Sequence, residues 1–270
     1  MNFKKFWRPD SYLRKISQLS LKLNHRLGRE VVVTEMVEGM AIRFNTSNAT
    51  EYEMRARASY TGEKGTLAWI DQYIQKDDIV YDIGANVGAY SLLMGKKIKA
   101  ANGKGKVFAF EPESLNSASL NKNIVLNGLD SLVIPVPLAV GSSLKLGQFF
   151  LSKFVHGAAT HGLDRPESDG KSFIPAHVQG IVVMSLDQLV MLEGIEFPNH
   201  IKIDVDGLEK EIVTHMGAVL KDRRLKTILI EVAEHLSQGF IEKTIESAGF
   251  RLENSESMGK GTRNLVYVRD

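Results

Sequence analysis

Between residues 79 and 250 short apolar runs alternate with amphipathic segments, and this alternation limits the possible folds more than any other feature of the chain. IVYDIGA leads into GAYSLLMGKKIKA, VFAFEP into ESLNSASLNKNIVLNGL, HIKIDVDG into LEKEIVTHMGAVL, and KTILIEVAE into FIEKTIESAGF, with LVIPVPLAV as a further apolar run. Apolar runs without in-out alternation suit strands covered on both faces, and the segments between them carry the helical period. The expectation is an α/β domain of repeated βα units around a mostly parallel sheet. RLENSES and TRNLVYVRD, on either side of the glycine-containing MGKGT, predict a closing antiparallel pair at the sheet edge.

Residues 1–60 read as an extension to a domain over 61–270. Within residues 1–30, Lys4, Lys5, Arg8, Arg14, Lys15, Lys22, Arg26 and Arg29 outnumber Asp10 and Glu30, while Tyr12, Ile16, Leu19, Leu23 and Leu27 recur at helical spacing. A basic amphipathic helix of this kind packs on its own domain or on a second copy as a homodimer, or lies on an anionic membrane surface, a use kept open by Phe3, Phe6 and Trp7. VVVTEMVEGMAIRF, with Glu38-Gly39 at its centre, predicts a β-hairpin, and a helix over 62–75 should turn Leu67, Ile70 and Ile74 inward. Asn45-Thr46-Ser47 and Asn48-Ala49-Thr50 match a glycosylation sequon but are read as a turn. An irregular insertion at about 142–180 holds QFFLSK, His156, His161, Pro166 and Pro175, and either faces an acceptor or is a surface loop.

Charge is balanced, 34 Lys and Arg against 32 Asp and Glu, so no nucleic-acid partner is expected. The absence of cysteine excludes disulfides, thiolate nucleophiles and cysteine-based zinc sites. No run approaches the ~20 apolar residues of a membrane span, and a cytoplasmic protein, at most peripheral to the membrane, is expected.

The chemistry concentrates at Tyr81-Asp82-Ile83-Gly84-Ala85-Asn86-Val87-Gly88, where the first apolar run ends. Two glycines let the backbone turn tightly and approach a ligand at the carboxyl end of a sheet. A dinucleotide loop would carry glycine at position 86, and Asp82 would repel a pyrophosphate. S-adenosylmethionine, with an ammonium, a sulfonium and no phosphate, suits that loop better than NAD. Glu111 ends the next apolar run, where a carboxylate can accept hydrogen bonds from both ribose hydroxyls.

DIGANVGAYSLL, VFAFEPES, NIVLNGL, VVMSLDQL and HIKIDVDGLEKEIV, spread over about 60–235, resemble the FkbM-type methyltransferase family. The resemblance implies the class I methyltransferase (Rossmann-like) fold, with seven mostly parallel strands of which one is reversed, and methyl transfer from S-adenosylmethionine to hydroxyl oxygens of sugars and natural products. It implies a cofactor loop at Asp82, Gly84, Asn86 and Gly88, a ribose contact at Glu111 beside Pro112, and an adenine lining at Ala139, Val140 and Gly141. Ser142 stands where the family often has Asp, and Asp206 where it has Glu.

Methyl transfer to a hydroxyl needs a base or a metal. Asp204 and Glu231, at the ends of two apolar runs, could hold Mg²⁺. Without metal, the base would be Asp204, His156, His161 or His235, although Asp204 would serve equally as a helix cap or as the partner of Lys202. Glu209, in the first turn of the helix that follows, is read as structural. The acceptor is expected to be a small molecule or glycan. A nitrogen or phenol acceptor, or a non-catalytic scaffold that binds the cofactor, are the rival readings.

Overall fold

The computed structural model describes residues 21–259 and 261–269. Of the basic N-terminal stripe, Tyr12, Ile16 and Leu19 lie outside the described residues, whereas Leu23 and Leu27 are exposed. No described helix is long and apolar enough to cross a membrane.

After a helical stretch over 21–26, the chain forms the hairpin β1 (Val31–Val37) and β2 (Met40–Thr46). Glu38 and Gly39 both take positive φ, 49° and 79°, the conformation that matches a two-residue turn to strand twist. Asn45 and Thr46 belong to β2 rather than to a turn. A π-helical segment, Glu51–Arg57, then leads into short helix Ala58–Gly62 and helix Lys64–Tyr73, which splits the expected 62–75 helix at Glu63. Next come β3 (Ile79–Ile83), β4 (Lys106–Phe110) and β5 (Val133–Val136), followed by β6 (Ala139–Val140), β7 (Lys145–Leu151) and β8 (Gly162–Leu163). The small hairpin β9 (Glu167–Ser168) and β10 (Lys171–Ser172) precedes β11 (His177–Met184), and β12 (His200–Ile203), β13 (Thr227–Ala233), β14 (Phe250–Gly259) and β15 (Thr262–Arg269) complete the chain.

Seven strands form the main sheet in the order β14-β15-β13-β12-β3-β4-β5. Only β15 runs against its neighbours, as the expected antiparallel closing pair requires. This is the class I methyltransferase fold. Alternation along the buried strands explains the layers. Tyr81, Phe110, Ile203 and Ile230 point into one core with Ile212 and Ile241 of the covering helices, while Val80, Val107 and Leu229 point into the other with Trp69, Leu92 and Leu120. Each such side chain contributes about 1.5–3 kcal/mol on burial. Residues 142–180, expected to be irregular, instead supply most of a second sheet, β6-β11-β7-β8.

Candidate active site

A cleft, open at its mouth, lies beyond the carboxyl ends of β3, β4, β6 and β12. Gly84, Asn86, Glu111, Pro112, Ala139 and Val140 all line it. The β3 exit packs so closely on the β12 exit that a Cβ added to Gly84 would lie 1.9 Å from the Asp204 carbonyl oxygen, and the Gly84 φ is +83°. Asn86 also has positive φ, 51°, which asparagine tolerates through local hydrogen bonding. Its backbone N–H donates to Glu111 Oε2 at 2.8 Å, and Glu113 N donates to Glu111 Oε1 at 2.8 Å. One lone pair on each carboxylate oxygen remains for a ligand diol. Burial pushes the Glu111 pKa up to about 8.

Two loop residues do not face the cleft as expected. Asp82 projects to the opposite face of β3, where it is 1% exposed, accepts a 2.5 Å hydrogen bond from Ser91 Oγ and lies 3.7 Å from Lys202 Nζ. Strand alternation explains the correction: Ile83 lines the cleft, so its neighbour Asp82 is turned away. Gly88, φ +94°, caps helix Ala89–Ala100 and abuts Leu120.

At the other end of the cleft, Asp204 follows β12 with its side chain about one-third exposed, and Lys202 Nζ donates to its Oδ2 at 3.0 Å. Lys202 itself is 1% exposed and stands 5.2 Å from the Tyr90 ring centroid. Burial lowers its pKa, but Asp204 and Asp82 outweigh that cost and hold it above the ordinary lysine range. Glu63, which accepts hydrogen bonds from Thr66 Oγ1 and Asn264 Nδ2, has its pKa raised by burial and then by Asp204. Glu231 lies beside this cluster rather than in the cleft lining, its pKa raised by burial and then by Asp204 and Glu209. The Mg²⁺ reading of Asp204 and Glu231 does not fit these residues. An ammonium already compensates Asp204, and no group of three or more metal-ligating side chains forms among the described residues. Glu209 accepts from Val205 N and Gly207 N, the structural role expected of it, and burial raises its pKa to about 7.

The histidines separate. His156 lies outside the cleft, with Nδ1 3.1 Å from the Leu115 carbonyl and 2.9 Å from Ser119 Oγ. His235 reaches the Asp169 carbonyl at 3.1 Å and holds the β9–β10 turn. His161 lines the cleft, and burial, then Arg55, lowers its pKa to about 4. Its Nδ1 accepts from Ser152 N at 3.3 Å, which leaves Nε2 as the N–H donor and no free acceptor to serve as a base.

The insertion roofs the cleft. Asn86 Nδ2 and Asn116 Nδ2 both donate to the Ala158 carbonyl, at 2.9 and 3.0 Å, and Thr160 N donates to Asp206 Oδ2 at 2.7 Å. Burial, then Asp204, raises the Asp206 pKa to about 6. Arg55, Asn116 and Asp206 line the cleft although none was expected there as a ligand-facing residue.

Over 217 residues the chain is 25% identical to the hexuronic acid methyltransferase AglP of Haloferax volcanii, covering 80% of this chain and 81% of AglP. Among solved structures it is similar to M. jannaschii TYW2 in complex with AdoMet (16% identity, TM-score 0.45, covering 90% of this chain and 89% of that one). It is also similar to the magnesium protoporphyrin IX methyltransferase of Synechocystis PCC 6803 with bound SAM (12% identity, TM-score 0.48, 83% and 86% covered). The FkbM methyltransferase domain matches residues 82–252, from the Asp82 loop to the edge of the main sheet, and the chain therefore belongs to the FkbM methyltransferase family.

Proposed function

We propose that the chain transfers the methyl group of S-adenosylmethionine to a hydroxyl oxygen of a sugar, with a hexuronic acid as the acceptor class. The observation that carries this reading is one cleft with Glu111 free to accept a diol at one end and Asp204 about one-third exposed at the other. The 25% identity to a hexuronic acid methyltransferase supports the acceptor class. When bound, the sulfonium supplies an electrophilic methyl carbon. Gly84 lets the β3 and β12 exits that border the cleft pack together, Glu111 orients the ribose, and the apolar Leu138, Ala139 and Val140 border the adenine side. Asp204 accepts the acceptor's hydroxyl proton as the oxygen–carbon bond forms and the carbon–sulfur bond breaks. Lys202 positions that carboxylate from behind.

Asp204→Asn keeps an oxygen for Lys202 but removes the base, so kcat is expected to fall about 10²- to 10⁴-fold while S-adenosylhomocysteine affinity changes little. A rate within a few-fold of wild type would remove Asp204 from this role. Transfer should also be insensitive to chelators.

Glu111 gives a pH test. Its free-state pKa is raised to about 8, and two hydroxyl donors favour its charged form, so the bound-state pKa is lower. Binding therefore releases a proton near neutrality, and affinity weakens by up to about tenfold per unit as the pH falls below 8. Calorimetric titrations of S-adenosylhomocysteine in two buffers of different ionisation enthalpy read this release directly. Equal apparent enthalpies at pH 7 would contradict it.

A further inference from the structure

The side chains that line the cleft are unbalanced in charge. Glu111, Asp204 and Asp206 face Arg55 as the single guanidinium or ammonium among the described lining residues, since Lys202 is engaged behind Asp204. Arg55 projects from the π-helical segment, and its Nε donates to the Gly157 carbonyl at 2.9 Å. Gly157 is itself fixed, its N–H donating to Asn116 Oδ1 at 2.7 Å. That single bond orients the guanidinium and leaves the terminal Nη1 and Nη2 groups without a hydrogen bond or ion pair among the described residues. Arginine presents a planar fork matched to a carboxylate, and a fork anchored through Nε loses little freedom on binding one.

From this geometry we infer that Arg55 binds the α-carboxylate of the cofactor's methionine moiety. The inference rests on the S-adenosylmethionine reading of the cleft. It accounts for the one cation of the cleft lining: a single guanidinium faces the ligand's one anionic group. A hexuronate acceptor also carries a carboxylate, and the two sources separate experimentally.

The test compares S-adenosylhomocysteine with 5′-methylthioadenosine, which lacks the amino-acid end, by calorimetric titration into the full-length chain and its Arg55→Gln and Arg55→Lys variants. Wild type is expected to prefer S-adenosylhomocysteine. Arg55→Gln should weaken that ligand about 10- to 100-fold, as loss of a charge-assisted hydrogen bond does, and should leave 5′-methylthioadenosine within about twofold. Arg55→Lys should recover part of the loss. Equal weakening of both ligands would assign Arg55 a structural role through Gly157 and overturn the inference, as would unchanged cofactor affinity with a raised KM for an acidic acceptor. Should Arg55→Gln not fold, the wild-type comparison still decides, because equal affinity for the two ligands overturns the Arg55 assignment and leaves the cofactor reading standing. Binding of neither ligand would sink both.

Discussion

Gly84→Ala is expected to weaken S-adenosylhomocysteine at least about 100-fold and to lower the thermal midpoint. Two independent costs coincide at this residue. A φ of +83° is unfavourable for alanine by about 1–2 kcal/mol, and the new methyl carbon would overlap the Asp204 carbonyl oxygen at 1.9 Å. Backbone cannot swing aside as a side chain can, so relief requires parting the β3 and β12 exits. Those exits carry the two ends of the proposed reaction, the loop before Glu111's partner Asn86 and the base Asp204. Gly217→Ala is the matched control, because nothing lies within 4 Å of its added Cβ and its φ is not positive. Isothermal titration and thermal unfolding of both variants check the prediction. Similar affinities in the two would mean that the exits yield, and that their close packing does not define the site.

Lys202→Met should destabilise the protein by about 3–5 kcal/mol, the usual cost of stripping the partner from a buried charge. Lys202 and Asp82 are each 1% exposed and stand opposite one another in the β12–β3 register. Methionine would fill the space of the lysine stem but leave Asp82 and Asp204 facing each other without a cation. A second change, Asp82→Asn in the Lys202→Met background, removes one of the stranded charges and is expected to restore part of the loss. Denaturant unfolding of the two single variants and the double variant measures the coupling. Strictly additive losses would show that the pair is not coupled, and that the lysine stabilises through packing alone.

The main sheet was legible because strands covered on both faces leave uninterrupted apolar runs, and β3, β4, β12 and β13 each bury nearly every residue. The second sheet was not, for a physical reason. In KLGQFFL the large apolar Leu146 is 81% exposed and Gly147 interrupts the alternation, while β6 and β8 are two residues long and carry no period. Glu111 and the glycine loop were visible because strand ends fix their position. Asp82 was assigned to the ligand because its motif is local, whereas its true partner is set by pairing with a strand about 120 residues away. A signal existed: IVYDI and HIKI each place one formal charge within a buried run, and the two charges are of opposite sign. Nothing in EYEMRAR announces Arg55, since its position over the cleft follows from an irregular helix and from a bond to Gly157 in the insertion.

Incubating the chain with methyl-labelled S-adenosylmethionine and a panel of hexuronic acid sugars, neutral sugars, phenols and amines, and locating the label by NMR, reads the transfer itself. Label is expected on a hydroxyl oxygen of a hexuronic acid, unaffected by a chelator and lost in Asp204→Asn. Label on nitrogen or on a phenol, or no transfer to any sugar by protein that binds S-adenosylmethionine, would contradict it.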